Sequence, residues 1–233
     1  SNLVSVDQVI PLPPGVAPEE GVCTTLAAVG LTAVHDGGVK VGDSVAIFGM
    51  GVVGLLTVQL ARLSGATRIF AIDLLPERRQ RALAFGADEA FDPASEDAAL
   101  RIKESTQGGA DVAIEASGSY NALHQALRCA HTAGLVITLG FYQGGGTPLA
   151  LGEEWHHNRL TMLSSMGAWG NPHRNHPMWD TDRVRRTVLD LFAADKLNAM
   201  SLVTHRFPFL DAQQAFELID RDPNSCLKAV LEY

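Results

Sequence analysis

Hydrophobic spacing divides the chain into two alternating kinds of segment. Short apolar or β-branched runs read as strands: Val45 to Phe48, Thr67 to Ile72, Ala90-Phe91, Asp111 to Glu115 and Leu135 to Leu139. Between them the apolar positions recur at three- and four-residue intervals, which is the helical period. One such segment follows Gly51. Another starts at Pro76 and stops at Gly86, and a third runs from about Glu96 to Ser105 before the Gly108-Gly109 turn. A fourth puts Ala122, Leu123, Ala126, Leu127 and Ala130 on one face, with Gly134 expected to end it. Strands alternating with helices of this length predict an α/β fold, a doubly wound parallel sheet with helices on both faces.

The flanks read differently. Residues 2–15 predict one short strand and a proline-braced connection. A helix follows from Pro18 to His35, with Glu19 and Glu20 in its first turn, and Gly37-Gly38 stops it. Beyond Gly140 come a Gly144-Gly145-Gly146 loop, a short helix from Glu153 to Asn158 and a strand from Leu160 to Ser164. Gly167 to Asp180 reads as a long ordered loop. A helix with Val184, Val188, Leu191 and Phe192 inward follows, then a strand from Leu202 to Arg206. The last helix, from near Asp211, is expected to bury Ala212, Ala215, Phe216 and Ile219, and Leu227 to Tyr233 closes as a strand. This gives a terminal strand and linker at 1–20, a sheet domain at 21–166 and a carboxyl-terminal part at 167–233.

Composition narrows the function classes. The 233 residues are 46% hydrophobic and 19% charged, with a formal net charge of −8, as in an ordinary globular protein. That acidity leaves no footprint for nucleic acid or an anionic membrane. The basic clusters Arg78-Arg79-Gln80-Arg81 and Arg183 to Arg186 sit among carboxylates on predicted helices and read as solvated faces. The uncharged run from Val45 to Ala61 nearly reaches transmembrane length, but its glycines, Thr57 and Gln59 favour a buried strand and helix. Cys23, Cys129 and Cys226 fit no paired spacing, so the expected compartment is a reducing cytoplasm.

The candidate chemistry lies in the first strand–helix–strand unit. Gly49-Met50-Gly51-Val52-Val53-Gly54 follows the first strand and opens the helix, and Asp73 ends the second strand twenty-two residues after Gly51. Glycines at this spacing, in this context, with an acid at this distance, predict a dinucleotide site. Gly49 permits the turn, Gly51 lets a pyrophosphate approach the backbone, and Gly54 lets the helix lie close on the strand. The first N–H groups of the helix lack intrahelical partners and suit phosphates. Asp73 would accept from the adenosine ribose and repel a 2′-phosphate, which predicts NAD as the cofactor.

As a set these segments resemble the medium-chain dehydrogenase/reductase superfamily. The resemblance rests on Gly42-Asp43 through Gly54, Ala61-Arg-Leu-Ser-Gly-Ala66, Asp73 through Arg78 to Gly86-Ala87-Asp88, Asp111 to Gly118, and Lys228-Ala-Val-Leu231. It looks closest to the alcohol, polyol and threonine dehydrogenase branches, and is similar in the same way to the wider zinc-binding dehydrogenases. It implies a Rossmann domain and NAD(H)-dependent hydride transfer on a small alcohol, polyol or carbonyl substrate. By resemblance Gly49, Gly51, Val52, Val53 and Gly54 hold the pyrophosphate, Asp73 the ribose, and Arg78 lies beside the adenine. Ala116 and Ser117 match a stretch near the adenosine half, and Gly140 and Phe141 one near the nicotinamide. Lys228 matches a basic residue that reaches the phosphates.

Relatives also carry an amino-terminal catalytic domain with a zinc-binding Cys and a Gly-His-Glu motif, and neither occurs here. The opening strand is thus expected to be a remnant of that domain, and this chain the cofactor half, with no catalytic acid or base assigned. A further zinc ligand of relatives falls at about Thr25, and threonine is a poor ligand. Cys23 points elsewhere, so no metal is expected in this chain, though zinc remains possible in a longer protein. His156-His157, and His173 with His176 and Asp180, read as surface or packing residues. The resemblance implies a homodimer paired through Leu160 to Ser164. Two alternatives stay open: a nucleotide-binding module without catalysis, and a zinc-free quinone or enoyl reductase.

Overall fold

The structure, a computed structural model, describes residues 4–5, 9–166, 179–222 and 224–233. Most of the predicted Gly167–Asp180 loop, including His173 and His176, lies outside the described residues, as does part of the predicted opening strand. The chain divides into two compact units, Val29–Trp169 and Ser1–Ala28 with Gly170–Tyr233.

In the larger unit, among the described residues, six strands form one sheet in the order β3-β2-β1-β4-β5-β6. They are β1 (Ser44–Phe48), β2 (Arg68–Ile72), β3 (Glu89–Phe91), β4 (Ala110–Glu115), β5 (Ala130–Thr138) and β6 (Thr161–Ser164). Every pairing is parallel. The predicted fold class is the observed one. This is the Rossmann strand order, and its direction of winding reverses between β1 and β4. Ala46, Phe48, Phe70, Ile72, Ala113 and Val136 alternate onto one face and form a core with residues of α5 (Ala98–Thr106) and α6 (Tyr120–Cys129). Burying a side chain such as Phe48 or Phe70 contributes about 1.5–3 kcal/mol. α3 (Val52–Leu63) and α4 (Pro76–Ala84) pack on each other, α3 against β1 and α4 against β2, and the short α7 (Glu154–His157) lies against α6. α2 (Thr24–Asp36) comes close to α3 where Gly30 faces Thr57, because a Cβ on Gly30 would stand 2.8 Å from the Thr57 hydroxyl. No helix among the described residues is long and apolar enough to cross a membrane, and the run from Val45 to Ala61 is a strand, a turn and part of α3.

One boundary differs from expectation. α6 ends at Cys129 and β5 begins at Ala130, so Gly134 lies inside the strand. Pairing jumps from Ala110↔Ala130 to Val112↔Leu135, which bulges residues 131–134 out of the ladder. Ala133 turns through φ 62° there. Gly134 is needed for that bulge, since a Cβ would stand 2.7 Å from the His131 carbonyl oxygen.

The smaller unit carries α1 (Pro18–Gly21), α8 (Thr181–Ala193), α9 (Ala212–Arg221) and the parallel pair β7 (His205–Pro208) and β8 (Ala229–Glu232). The helix expected over 18–35 is broken at Val22 and Cys23, and the Thr24 hydroxyl donates to the Gly21 carbonyl at the break. No strand forms among the described residues of 2–15, where Pro11, Pro13 and Pro14 remove ladder donors. The strand expected from Leu202 is delayed by a 3₁₀ turn over Met200–Leu202. On α8 Leu189 is buried where Leu191 was expected. On α9 Ala215 is buried, but Phe216 is 71% exposed and Ile219 45% exposed. The buried stripe of α9 is narrow, and Phe216, one residue on from Ala215, is turned about 100° away from it.

Candidate functional site

The carboxyl ends of β1, β2, β4 and β5 meet at the winding reversal, where open α/β sheets bind ligands. β1 hands over to α3 through Gly49, at φ +89°. A Cβ there would press on the Ser117 Cβ at 2.7 Å, so a side chain is excluded by both conformation and contact. Gly54 is equally constrained, with a hypothetical Cβ 1.8 Å from the Gly49 carbonyl oxygen. Gly51 is different. Its φ is −73°, and a Cβ would meet no protein atom within 4 Å. That open space lies beside the start of α3, whose N-cap Gly51 offers no side-chain cap. The first intrahelical bond runs from the Leu55 N–H to the Gly51 carbonyl, so the N–H groups of Val52, Val53 and Gly54 have no partner within the helix. A tight turn, an opening at Gly51 and an uncapped helix start fit a dinucleotide's pyrophosphate.

Asp73 stands at the end of β2, beside this turn. Its Oδ2 accepts from the Met50 N–H at 2.6 Å and its Oδ1 from the Leu75 N–H at 2.8 Å. Each carboxylate oxygen has two lone pairs, so both oxygens keep capacity for a diol while their orientation is fixed. Arg79, which sequence reasoning passed over as part of a solvated face, pins the same loop. Its guanidinium donates to the Asp73 and Leu74 carbonyls at 2.7 and 2.8 Å and pairs with Asp92 at 3.4 Å. Arg78 lies half-buried in the first turn of α4.

Across the reversal the wall is built on a side chain that spacing did not single out. Glu115, the last residue of β4, is fully buried. Its carboxylate accepts from the Ser117 N–H at 2.7 Å, the Gly118 N–H at 3.1 Å, the Ser117 hydroxyl and the Tyr142 hydroxyl. Four donors satisfy a charge that could not otherwise remain out of water. Burial first, and then the bond to Glu115, push the Tyr142 phenol far above its ordinary pKa, so it stays protonated and donating. The Tyr142 ring packs at a tilt of 39° against Tyr120, centroids 5.1 Å apart, and the Tyr120 hydroxyl donates to the Gly144 carbonyl at 3.1 Å. Gly140 makes the approach possible, since a Cβ would stand 2.2 Å from the Gly118 nitrogen and 2.9 Å from Glu115 Oε2. A signal was present: an acid ending a buried strand and followed by Ala-Ser-Gly needs donors, and the next backbone turn supplies them.

Of the predicted residues, the structure gathers Gly49, Gly51, Val52, Val53, Gly54, Asp73, Ala116, Ser117, Gly140 and Phe141 at this end of the sheet. The Ala116 N–H donates to the Phe48 carbonyl at 2.8 Å, and Phe141 is 84% exposed at the lip. Lys228 belongs to the smaller unit, where its carbonyl accepts from the Thr204 N–H at 2.9 Å just before β8. Thr25 is exposed and Cys23 buried. Among the described residues no three His, Cys, Asp or Glu side chains are grouped to hold a metal ion. The described residues therefore do not fit a zinc centre. His156 and His157 set their rings edge to face at 5.4 Å, and Asp180 caps α8 by accepting from the Arg183 N–H at 2.8 Å.

Comparison with known proteins agrees with this geometry. The model of the family described as "Zinc-binding dehydrogenase" matches residues 52–181. D-guloside 3-dehydrogenase of Escherichia coli K12 is 30% identical over 229 residues, covering 97% of this chain and 65% of that protein. (R,R)-butanediol dehydrogenase of Bacillus subtilis is 37% identical over 147 residues, covering 62% and 42% respectively. The structure of a zinc-binding dehydrogenase from Sinorhizobium meliloti, bound to NADP, superposes with a TM-score of 0.81 at 28% identity, covering 97% of this chain and 63% of that one. The chain thus spans less than two thirds of the length of each of these relatives.

Proposed function

The chain belongs to the zinc-binding dehydrogenases of the medium-chain dehydrogenase/reductase superfamily, as their nucleotide-binding half, and from that premise we propose that it binds NAD(H) for an oxidoreductase acting on an alcohol, a polyol or the corresponding carbonyl. The observation that carries the cofactor assignment is the oriented Asp73 carboxylate beside the open Gly51. The N–H groups of Val52, Val53 and Gly54 bind the pyrophosphate, and the Gly51 opening lets it approach. Asp73 accepts from the adenosine ribose hydroxyls and sets a negative charge where a 2′-phosphate would lie, favouring NAD(H) over NADP(H). Bound there, the cofactor supplies a hydride acceptor or donor at its nicotinamide ring. The turns after β4 and β5 shape the space for that half and keep water from it. No step is assigned to zinc in the described residues.

Titration of the full chain with NADH and with NADPH, followed by the cofactor's fluorescence, tests this. NADH is expected to bind at least about tenfold more tightly, about 1.4 kcal/mol. Equal affinity, or a preference for NADPH, would overturn the NAD(H) assignment. The edge strand β6, with Thr161, Met162 and Ser164 exposed, supports pairing of two copies, and a monomer by light scattering would reject it. The buried free thiols Cys23, Cys129 and Cys226 support a reducing, cytoplasmic setting. Recovery of the protein in an oxidising compartment on cell fractionation would count against that.

A further inference from the structure

Resting on the NAD(H) reading above, we propose that Glu115 is a positioning residue for the nicotinamide half of the cofactor, acting through the turns after β4 and β5 with Tyr142 as its partner. In a doubly wound sheet the pyrophosphate sits at the winding reversal and the adenosine lies over β2, so the other half of a dinucleotide must extend over β4 and β5. The turns that meet it there are residues 116–119 and 139–144. Little regular structure holds these turns together. One buried carboxylate bonds to both: Glu115 accepts from Ser117 and Gly118 in the first turn and from Tyr142 in the second, beside the Tyr120–Gly144 hydrogen bond and the packing of Gly118 on Phe141. The Glu115 backbone takes part as well, its carbonyl accepting from the Leu139 and Gly140 N–H groups at 2.8 and 3.1 Å.

The carboxylate is the element that cannot be exchanged. Its acceptor capacity is matched to four donors, and Gly118 and Gly140 bring the two backbones too close for any side chain between them. A Cβ on Gly118 would stand 2.7 Å from the Phe141 carbonyl oxygen. Glu115→Gln would set an amide N–H₂ against at least one of those donors, and a buried donor facing a donor must move away. The movement falls first on the β4–β5 side: the β1–α3 turn meets it where Gly49 packs on Ser117, but Gly54 packed on the Gly49 carbonyl and the Asp73 bonds to the Met50 and Leu75 N–H groups hold the pyrophosphate and adenosine side in place.

The test compares NADH with ADP, which lacks the nicotinamide half, on the wild-type chain and on Glu115→Gln and Tyr142→Phe, with thermal unfolding measured in parallel. Glu115→Gln is expected to weaken NADH about tenfold and ADP less than about twofold, and Tyr142→Phe to do the same more mildly. An equal loss of NADH and ADP, or unchanged NADH affinity in both variants, would overturn the proposal while leaving the NAD(H) reading intact. A wild-type chain that bound neither nucleotide would sink both. Should Glu115→Gln fail to fold, Tyr142→Phe, which deletes a single hydroxyl, decides by the same split.

Discussion

On the β1–β2 side of the crevice the wall is backbone: glycines at Gly49 and Gly54 bring chain against chain, and Asp73 fastens itself to two main-chain N–H groups. On the β4–β5 side the wall is a buried side chain, with Glu115 gathering donors from two turns. The first device is written within one strand–helix–strand unit, Asp73 reaching the Met50 N–H twenty-three positions back, and it meets the second where Gly49 packs on Ser117. The second joins residues up to twenty-seven positions apart. A backbone wall has almost no tolerance for added atoms, whereas a side-chain hub can lose one bond and relax. The two sides should therefore fail differently when altered.

The largest effect belongs to Gly54→Ala. Its Cβ would fall 1.8 Å from the Gly49 carbonyl oxygen, a backbone atom that cannot swing aside. A loss of about 3 kcal/mol or more in unfolding free energy is expected, with nucleotide binding abolished. Chemical denaturation with a parallel NADH titration checks both, and a variant of near wild-type stability would show that the turn is less rigid than described.

Gly51→Ala sharpens the contrast within the same turn. Its φ suits any residue and the Cβ meets no protein atom. Losing a glycine N-cap and gaining a stiffer unfolded chain nearly cancel, so stability should change by less than about 1 kcal/mol. NADH affinity should still fall about a hundredfold, about 2.7 kcal/mol, because the Cβ occupies the space left for the pyrophosphate. Stable protein that binds NADH normally would break the assignment of that opening. Asp73→Asn comes next in size. The amide keeps one acceptor for the loop but loses the charge and one ribose acceptor, and NADH should weaken about tenfold, the scale of a charge-assisted hydrogen bond. NADPH should weaken less. Parallel loss of both cofactors would mean that Asp73 serves only the fold.

This contrast also explains what could be read from the sequence. The alternation of strands and helices, the turn at Gly49 to Gly54 and the acid at Asp73 are legible because each is a pattern along the chain with one physical cause. For Glu115 the local half is legible, an acid ending a strand with donors at Ser117 and Gly118, but its link to the second turn depends on Tyr142, which comes near it only once β5 has paired with β4. In the sequence Arg79 reads as surface charge, since nothing local shows that it donates to the Asp73 carbonyl. Gly134 follows the same logic: a glycine after a helix pattern suggests a stop, and the bulge that needs it exists only against Ala110 and Val112. At Phe216 and Ile219 the helical period was right, but the stripe that α9 buries is narrower than its apolar face.

The smallest expected effect tests whether carboxylate anchoring as such, rather than its place in the crevice, governs binding. At the opposite end of β1 and β4, Asp111 accepts from the Ser44 N–H at 2.8 Å and the Ser44 hydroxyl at 2.7 Å. Burial alone would raise the Asp111 pKa, but the two Ser44 bonds, helped by His131 and Lys40, hold it below its ordinary value. Ser44→Ala removes the hydroxyl's bond to the carboxylate and the one the same hydroxyl accepts from the Asp111 N–H at 3.2 Å, and should cost about 1–2 kcal/mol near neutral pH, leaving NADH affinity unchanged. The sign of the pH dependence follows from that depressed pKa. The stabilisation is present above the unfolded-state pKa of about 3.9 and is lost as pH falls through the lower folded value. Unfolding midpoints of wild type and Ser44→Ala should thus differ most at pH 7, and the gap should narrow as the pH is lowered below about 4. If Ser44→Ala also weakened NADH while sparing ADP, distant damage to β4 would mimic the effect assigned to Glu115, and the contrast between the two sides of the crevice would collapse into general strand stability.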